Sequence, residues 1–338
     1  MNIEYNKSLK NFNTFGVDVK AANFITVTTL DEMKESLLLP YVKTGRWLVI
    51  GGGSNILFTK DFDGTVILNR IKGVEIIREN ADYVWIKAGG GEVWHDLVMW
   101  CVERNFGGIE NLALIPGCAG AAPIQNIGAY GAEIKDVIDK AEMLMTDGKT
   151  LINFSNAECK FGYRESIFKN QLKGKGIITS IELRLKKKPE INISYGAIRQ
   201  ELEKAGIKNP GIKEVCEAVI KIRKSKLPDT QVLGNAGSFF KNPEIEKKEF
   251  DDLKIKFADI PGFEQPSGKV KVPAGWLIEQ CGLKGIRRGN TGTHKDQALV
   301  IVNYGNASGS EILEFAEFVA AEVNNKFGIT LEKEVNII

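Results

Sequence analysis

"WLVIGGGSNILFTKDFDG", residues 47–64, decides what kind of nucleotide fold this chain can have. Residues 47–50 are a short apolar run of buried-strand type, and the run empties into three glycines. Backbone N–H groups uncovered by glycine can cradle a phosphate, and Ser54 and Asn55 add donors. In a doubly wound dinucleotide fold such a turn opens an amphipathic helix. Here "ILFTKDFDG" continues as strand and turn, and neither G-x-G-x-x-G nor G-x-x-x-x-G-K-[ST] fits residues 50–55. The ordinary Rossmann and P-loop readings therefore fail on context. Taken by itself, the loop is a tight turn.

Outward from this loop, residues 65–70 read as a second strand. "YVWIKAGGGEVWHDLVMWCVERN" reads as strand, glycine turn and helix, with Val93, Trp94, Leu97, Val98 and Cys101 at helical spacing. This second glycine turn also lacks the third glycine of the dinucleotide fingerprint. "IPGCAGAAPIQNIGAYGAE", residues 115–133, has no period at all. An ordered loop of this length in a compact domain usually serves a ligand. Its small residues let backbone lie flat against a planar group, while Gln125 and Asn126 offer donors and acceptors.

Further along, "MLMTDGKTLINF" carries an Asp-Gly turn between strand-like runs, and Ser155 with Glu158 makes a capping-box pattern that predicts a helix start. Residues 213–224 predict an amphipathic helix with Val215, Ala218, Val219 and Ile222 on one face. "KLPDTQVLGNAGS" breaks all periodicity and suggests a crossing between domains near 211–235. Ser308 and Glu311 cap a predicted helix with the stripe Ile312, Phe315, Val319, Val323 and Phe327, and Gly328 ends it. "ITLEKEVNII" then reads as a strand, with Ile329, Leu331, Val335 and Ile337 on one face and Glu332, Glu334 and Asn336 on the other. Strands and helices alternate early and mix later, which gives an α+β or mixed α/β chain.

Composition narrows the function. The 338 residues carry a formal net charge of +2, so two or three domains are expected and no nucleic-acid partner is implied. The basic run Lys186–Lys188 reads as a solvated strand end. The first twelve residues have no apolar core of signal-peptide length, and no apolar run approaches the ~20 residues of a membrane helix. Five scattered cysteines with no C-x-x-C pair argue against zinc and against a disulfide framework, and so suggest a reducing cytoplasm. With only His95 and His294, no histidine-rich metal site exists, no metal is expected, and both read as structural.

"NTFG", "GGGSN", "IPGCAG…PIQNIGAYG", "FGYRES", "GNAGSFFKNP", "AGWLIEQCGLKG" and "LEKEV" occur in an order and spacing that resemble the UDP-N-acetylenolpyruvoylglucosamine reductases, the MurB family, over essentially the whole chain. "ISYGAI" around Tyr195 is similar to the longer subclass with a substrate-loop tyrosine. The resemblance implies an α+β fold: a two-part FAD-binding module of the PCMH/vanillyl-alcohol-oxidase type plus a C-terminal α+β substrate-binding domain. Expected boundaries are 1–72 and 73–226 for the two FAD-binding parts and 227–327 for the substrate domain, with strand 328–338 returning to the FAD-binding part. FAD would be held non-covalently by Gly51, Gly52, Gly53, Ser54, Asn55, Ile115, Pro116, Gly117, Cys118, Gly120, Gln125, Asn126 and Gly128. NADPH would supply hydride, and the enolpyruvyl ether of a UDP-sugar would accept it. The enzyme would be monomeric or weakly associating.

By the same resemblance Ser238 is the proton donor, and Arg164 and Glu334 stabilise the enol intermediate. Glu334 does this most easily with its carboxyl protonated. Tyr195, Tyr130, Arg223, Lys226, Asn242 and Gln297 would hold the substrate. Local sequence reads differently. Ser238 by itself is a turn serine with no base to activate it and no G-x-S-x-G elbow. Arg164 is a surface arginine beside Glu165, Glu334 belongs to a solvated strand face, and Lys226 is a loop lysine. Ala121 and Ala122 stand where some relatives carry serine, and the chain lacks the tail of others. Two alternatives remain: a sugar or alditol oxidase on the same cofactor fold, and a non-catalytic nucleotide-sugar binder that needs none of Ser238, Arg164 and Glu334.

Overall fold

The computed structural model describes residues 1–338 as two compact units. The first contains Met1–Lys7, Ala21–Gly52 and Asp63–Ser225; the second contains Ser8–Lys20, Gly53–Phe62 and Lys226–Ile338. The crossing expected near 211–235 falls at 225/226, and the glycine loop itself divides between Gly52 and Gly53. No helix is long and apolar enough to cross a membrane.

The first unit holds two sheets. One orders its strands Asn2–Ser8, Lys20–Val27, Phe62–Asn69 and Trp47–Ile50. Trp47–Ile50 pairs parallel with Phe62–Asn69, so residues 51–61 are the crossover that a parallel pair requires. Thr29 caps the helix Leu30–Leu38 by accepting from the Glu32 N–H, and its buried Met33 and Leu37 pack with Ile25, Val27 and Ile67.

The other sheet orders Leu151–Ser155, Ile138–Met145, Gly176–Lys186, Tyr83–Gly89 and Val74–Glu79, antiparallel throughout. Alternate residues Ile181, Leu183 and Leu185 meet Val84, Ile86 and Ala88 and the helices Trp94–Glu103 and Ile212–Lys226 in one core. Trp94 sits fully inside, with its Nε1–H on the Leu112 carbonyl at 2.9 Å. Each buried Val, Leu or Ile of this core contributes roughly 1.5–3 kcal/mol by leaving water. The Asp-Gly hairpin forms as read: Asp147 Oδ1 accepts from the Lys149 and Thr150 N–H groups at 2.8 Å, and Gly148 turns at φ +68°.

One local expectation is corrected. Ser155 and Glu158 do bond, N–H to Oε2 at 2.8 Å and Oγ to Oε2 at 2.6 Å, but no helix follows. Lys160, at φ +47°, leaves the helical region after a single turn, and buried Cys159 holds that turn inward.

The second unit carries a sheet ordered Gly234–Ser238, Val300–Asn303, Thr291–Thr293 and Arg287–Arg288, and a smaller three-stranded sheet. Its long helix Gly309–Phe327 has the Ser308/Glu311 capping box, and Gly328 ends it at φ +72°. Ile312, Phe315, Val319, Val323 and Phe327 are its buried stripe, as the spacing predicts. The following stretch is less regular than a strand. Only Asn336–Ile337 pairs as one, parallel to Ile56–Leu57, with an isolated bridge from Lys333 to Phe240. Ile329, Leu331 and Val335 are nonetheless buried.

Candidate active site

In the first unit three glycine stretches meet backbone to backbone. A Cβ on Gly51 would stand 2.9 Å from Cys118 Cβ and Sγ, and one on Gly52 would stand 3.2 Å from Gly117 Cα. A Cβ on Gly120 would come within 3.0 Å of Gly90 Cα. Gly51, Gly90, Cys118 and Gly120 line a cavity of about 440 Å3, whose other walls include Trp47, Leu48, Asn69, Phe168 and Ile178. The volume is that of a small-molecule pocket. A lining of glycine backbone and apolar side chains suits a flat aromatic group, so it fits part of FAD. Burial pushes the Cys118 thiol pKa up, so a neutral sulfur faces this space.

The remaining expected cofactor residues sit differently. Gly117 takes φ +117°, and its carbonyl accepts from the Trp94 N–H at 3.0 Å, turning the chain from Ile115 and Pro116 into the loop. Gln125 is half-buried beyond the cavity lining. Asn126 is fully buried, and its amide is spent on protein: Nδ2 donates to Glu133 Oε2 at 3.0 Å and to the Gly162 carbonyl at 2.9 Å, while Oδ1 accepts from the Lys135 N–H. Its side chain therefore holds the loop instead of facing the cavity.

Arg164 is half-buried. Its Nη2 donates to the Gly128 carbonyl at 2.7 Å, and the Lys169 ammonium lies 3.6 Å from the Glu165 carboxylate. Arg164 lines a second cavity of about 430 Å3 with Gly128, Tyr130, Glu133 and Tyr163. Around it, Leu114, Asn126, Tyr130 and Arg164 all adopt positive φ, from 43° to 57°. Such strain in non-glycine residues persists only where the surroundings enforce it, and it concentrates at functional sites.

The enforcing contacts are visible. The Tyr130 and Tyr195 rings meet edge to face at 5.1 Å. The Tyr130 hydroxyl bonds the Arg223 side chain, whose Nε also donates to the Leu114 carbonyl at 3.2 Å. Burial raises the Tyr130 pKa and lowers that of Arg223. The Leu114 N–H in turn donates to His95 Nδ1 at 3.1 Å, the structural role expected of that histidine. The first unit thus brings Arg164, Tyr130, Tyr195 and Arg223 together. Lys226 ends the helix Ile212–Lys226 and is exposed.

In the second unit Ser238 ends a strand; it is not in a turn. The pairing with Val300–Asn303 shifts register between Asn235 and Ser238, Gly237 takes φ +69°, and its N–H donates to Asn235 Oδ1 at 3.0 Å. Phe239 and Phe240 are buried directly behind. The Glu334 N–H donates to the Phe239 carbonyl at 2.8 Å, so Glu334 comes beside Ser238 and is half-buried, not on a solvated face. Asn242 Oδ1 accepts the Ala274 N–H at 2.9 Å, and a Cβ on Gly275 would lie 3.0 Å from Gln297 Oε1. Both amides therefore gather at the start of the helix Ala274–Gln280.

Gly53, Ser54 and Asn55 belong here too. A Cβ on Gly53, at φ +60°, would stand 2.0 Å from the Phe12 carbonyl oxygen, and the Gly53 carbonyl accepts from the Thr14 N–H at 3.1 Å. Glycine at this position is thus required by close packing on the "NTFG" segment. Ser54 is half-buried, and Asn55 Nδ2 reaches the Glu334 carbonyl at 3.3 Å. Sequence reasoning missed the cavity walls Trp47, Leu48, Asn69, Phe168 and Ile178, which carry no local signal. Gly90 did carry one, in "AGGGEVWH", but read as an ordinary turn.

The chain is similar to known proteins along its whole length. Residues 228–338 match the model of the UDP-N-acetylenolpyruvoylglucosamine reductase C-terminal domain, and residues 21–152 match an FAD binding domain. A UDP-N-acetylenolpyruvoylglucosamine reductase of Flavobacterium johnsoniae is 51% identical, covering 100% of both chains. One of Bacteroides fragilis is 44% identical over 99% of this chain and 100% of its own, and one of Pseudomonas aeruginosa is 43% identical over 98% and 97%. The crystal structure of the Thermus caldophilus reductase superposes with a TM-score of 0.68 at 26% identity, covering 100% of this chain and 99% of that one.

Proposed function

Because the chain belongs to the UDP-N-acetylenolpyruvoylglucosamine reductase family, FAD-dependent oxidoreductases of peptidoglycan precursor synthesis, we propose that it reduces the enolpyruvyl ether of UDP-N-acetylglucosamine to the lactyl ether with NADPH as hydride source. FAD, when bound, supplies the hydride relay between the two substrates. The residues here must place the sugar, stabilise charge at the reacting carbons and deliver one proton. Gly51, Cys118 and Gly120, with the walls around them, would hold part of the cofactor.

Hydride reaches the terminal CH2 of the enolpyruvyl group, and charge builds on the neighbouring carbon and its carboxylate. Arg164, planar and always charged, suits that carboxylate. Glu334 shares the developing charge by hydrogen bonding to the enol. Ser238 delivers the proton to the carbon next to the carboxylate. A serine can do this without a dedicated base, because the acceptor is strongly basic; it needs a fixed position and shielding from water. The strand end and the buried Phe239 and Phe240 that follow it support a fixed position. Tyr130, Tyr195, Arg223, Lys226, Asn242 and Gln297 are proposed to hold the nucleotide sugar. The finer division at 72/73, 226/227 and 327/328, a monomeric or weakly associating state and a cytoplasmic location belong to the same reading.

The observation that supports it is the backbone bond from Glu334 to Phe239, which runs the chain at Glu334 alongside the residue that follows the proposed proton donor. The test is a purification. The protein should be yellow and should oxidise NADPH only when the enolpyruvyl UDP-sugar is added. Oxygen-driven turnover of a simple sugar would favour the oxidase reading instead.

A further inference from the structure

In the second unit residues 332–338 run between two partners. On one side the Lys241 N–H donates to the Glu332 carbonyl at 2.9 Å, Phe240 bridges Lys333, and the Glu334 N–H reaches Phe239. On the other side lie Asn55 and the strand Ile56–Leu57. Glu334 sits where the two sides change over. Its N–H is held by Phe239 at 2.8 Å, and its carbonyl accepts from Asn55 Nδ2 at 3.3 Å. Two residues on, Asn336 places both its backbone N–H and its Nδ2 on the Asn55 carbonyl oxygen, each at 3.0 Å. Asn55 therefore brackets residues 334–336 with its side chain and its main chain at once.

We propose that Asn55 and Asn336 are a positioning pair for the Glu334 carboxyl. The inference rests on the role of Glu334 given above and adds a function for the end of the glycine loop, which sequence alone reads as phosphate donors. Fixing the peptide groups on both sides of a residue fixes its φ and ψ, and with them the direction of Cα–Cβ. A misplacement of about 1 Å at a reacting centre costs up to ~100-fold in rate, so this direction matters to a carboxyl that must meet an enol. The chemistry of the pair is specific. Asn55 needs an N–H for the Glu334 carbonyl, which aspartate cannot supply and glutamine presents one methylene further out.

The test uses the FAD holoenzyme and stopped-flow measurement of each half-reaction, in wild type, Asn336→Ala, Asn55→Asp and Glu334→Gln. Asn336 is exposed, so its truncation is the mild variant. Expected is a fall of about tenfold in flavin reoxidation by the enolpyruvyl sugar for Asn336→Ala, and more for Asn55→Asp, at least ~5-fold beyond any change in flavin reduction by NADPH. A carbon-13 label on the Glu334 carboxyl, which needs no turnover, should shift in both variants. Equal falls in both half-reactions with weakened FAD binding would make Asn55 a cofactor ligand and overturn the proposal. Unchanged reoxidation in both variants would overturn it as well. If Glu334→Gln itself leaves reoxidation intact, the proposed role of Glu334 has failed, and the positioning pair falls with it.

Discussion

The backbone N–H of Glu334 donates to the carbonyl oxygen of Phe239 at 2.8 Å, so one peptide group links the proposed charge-stabilising acid to the residue that follows Ser238. Residues 238 and 334 are thus carried on neighbouring segments joined by a backbone hydrogen bond. Ser238→Ala should leave this frame intact, since the segment is held by backbone bonds and by buried Phe239 and Phe240. We expect NADPH-driven flavin reduction to persist while turnover of the enolpyruvyl sugar falls by about 10²–10⁴-fold, the usual worth of a positioned proton donor. Single-turnover kinetics of each half separates the two; an equal loss in both would remove Ser238 from the chemistry.

The glycines of the loops fail in two distinguishable ways. Gly53→Ala forces a Cβ to 2.0 Å from a backbone oxygen at φ +60°, and no flexible side chain can give way. It should destabilise the protein by about 2–4 kcal/mol, read as a lower urea midpoint. Gly120→Ala meets Gly90 Cα at 3.0 Å, where the backbone must give by only a few tenths of an ångström. This wall lines the cavity, so about tenfold weaker FAD binding is expected with a smaller loss of stability. Flavin absorbance after gel filtration measures it.

His95 makes stability depend on pH. Burial lowers its pKa from the ordinary 6.5, with the nearby Asp96 charge opposing. The Leu114 N–H needs an unprotonated Nδ1 to accept it. A depressed value in the fold means that the unfolded chain binds the proton more readily. The stabilisation is therefore complete above the unfolded value and is lost as pH falls through the folded one. Wild-type Tm should drop as pH falls below the ordinary histidine value of 6.5, and His95→Phe should start lower and drop less over the same range. Parallel Tm curves for the two would contradict the assignment.

All five cysteines are free, and their reactivity should differ sharply. Burial pushes the thiols of Cys101, Cys159 and Cys216 up to about 12, and raises that of Cys118. Cys281 is also raised, chiefly by burial, but it is only half-buried. Thiolate is the reactive form, so a disulfide reagent at mild alkaline pH should label Cys281 first and the other four only on unfolding. Two thiols reacting at matching rates in the folded protein would refute this.

Much of the fold was legible. The 309–327 helix, its cap and its stop follow from Ser308, Glu311, the apolar stripe and Gly328, all local signals. The Asp147–Gly148 hairpin and the Ile212–Lys226 helix were readable for the same reason. The false helix start at Ser155 shows the limit: Glu158 accepts the Ser155 N–H as the pattern says, but the Ser155 hydroxyl donates to the same carboxylate, and a positive φ five residues on ends the turn. The site was less legible. The motifs named Ser238, Arg164 and Glu334, but not that Ser238 ends a strand or that the Arg164 fork rests on the Gly128 carbonyl.

By itself the sequence determined the family, the helices with clear caps and periods, and the exclusion of the helix-opening phosphate loop, because each is written in residues near one another. Only the tertiary structure decided that "GGGSN" serves two units. In the first, Gly51 and Gly52 lie against Gly117 and Cys118; in the second, Gly53 presses on Phe12 and Asn55 reaches Glu334, 279 positions away. Which neighbour a glycine must admit, or which carbonyl an amide must find, depends on packing between distant segments, and no local pattern encodes that.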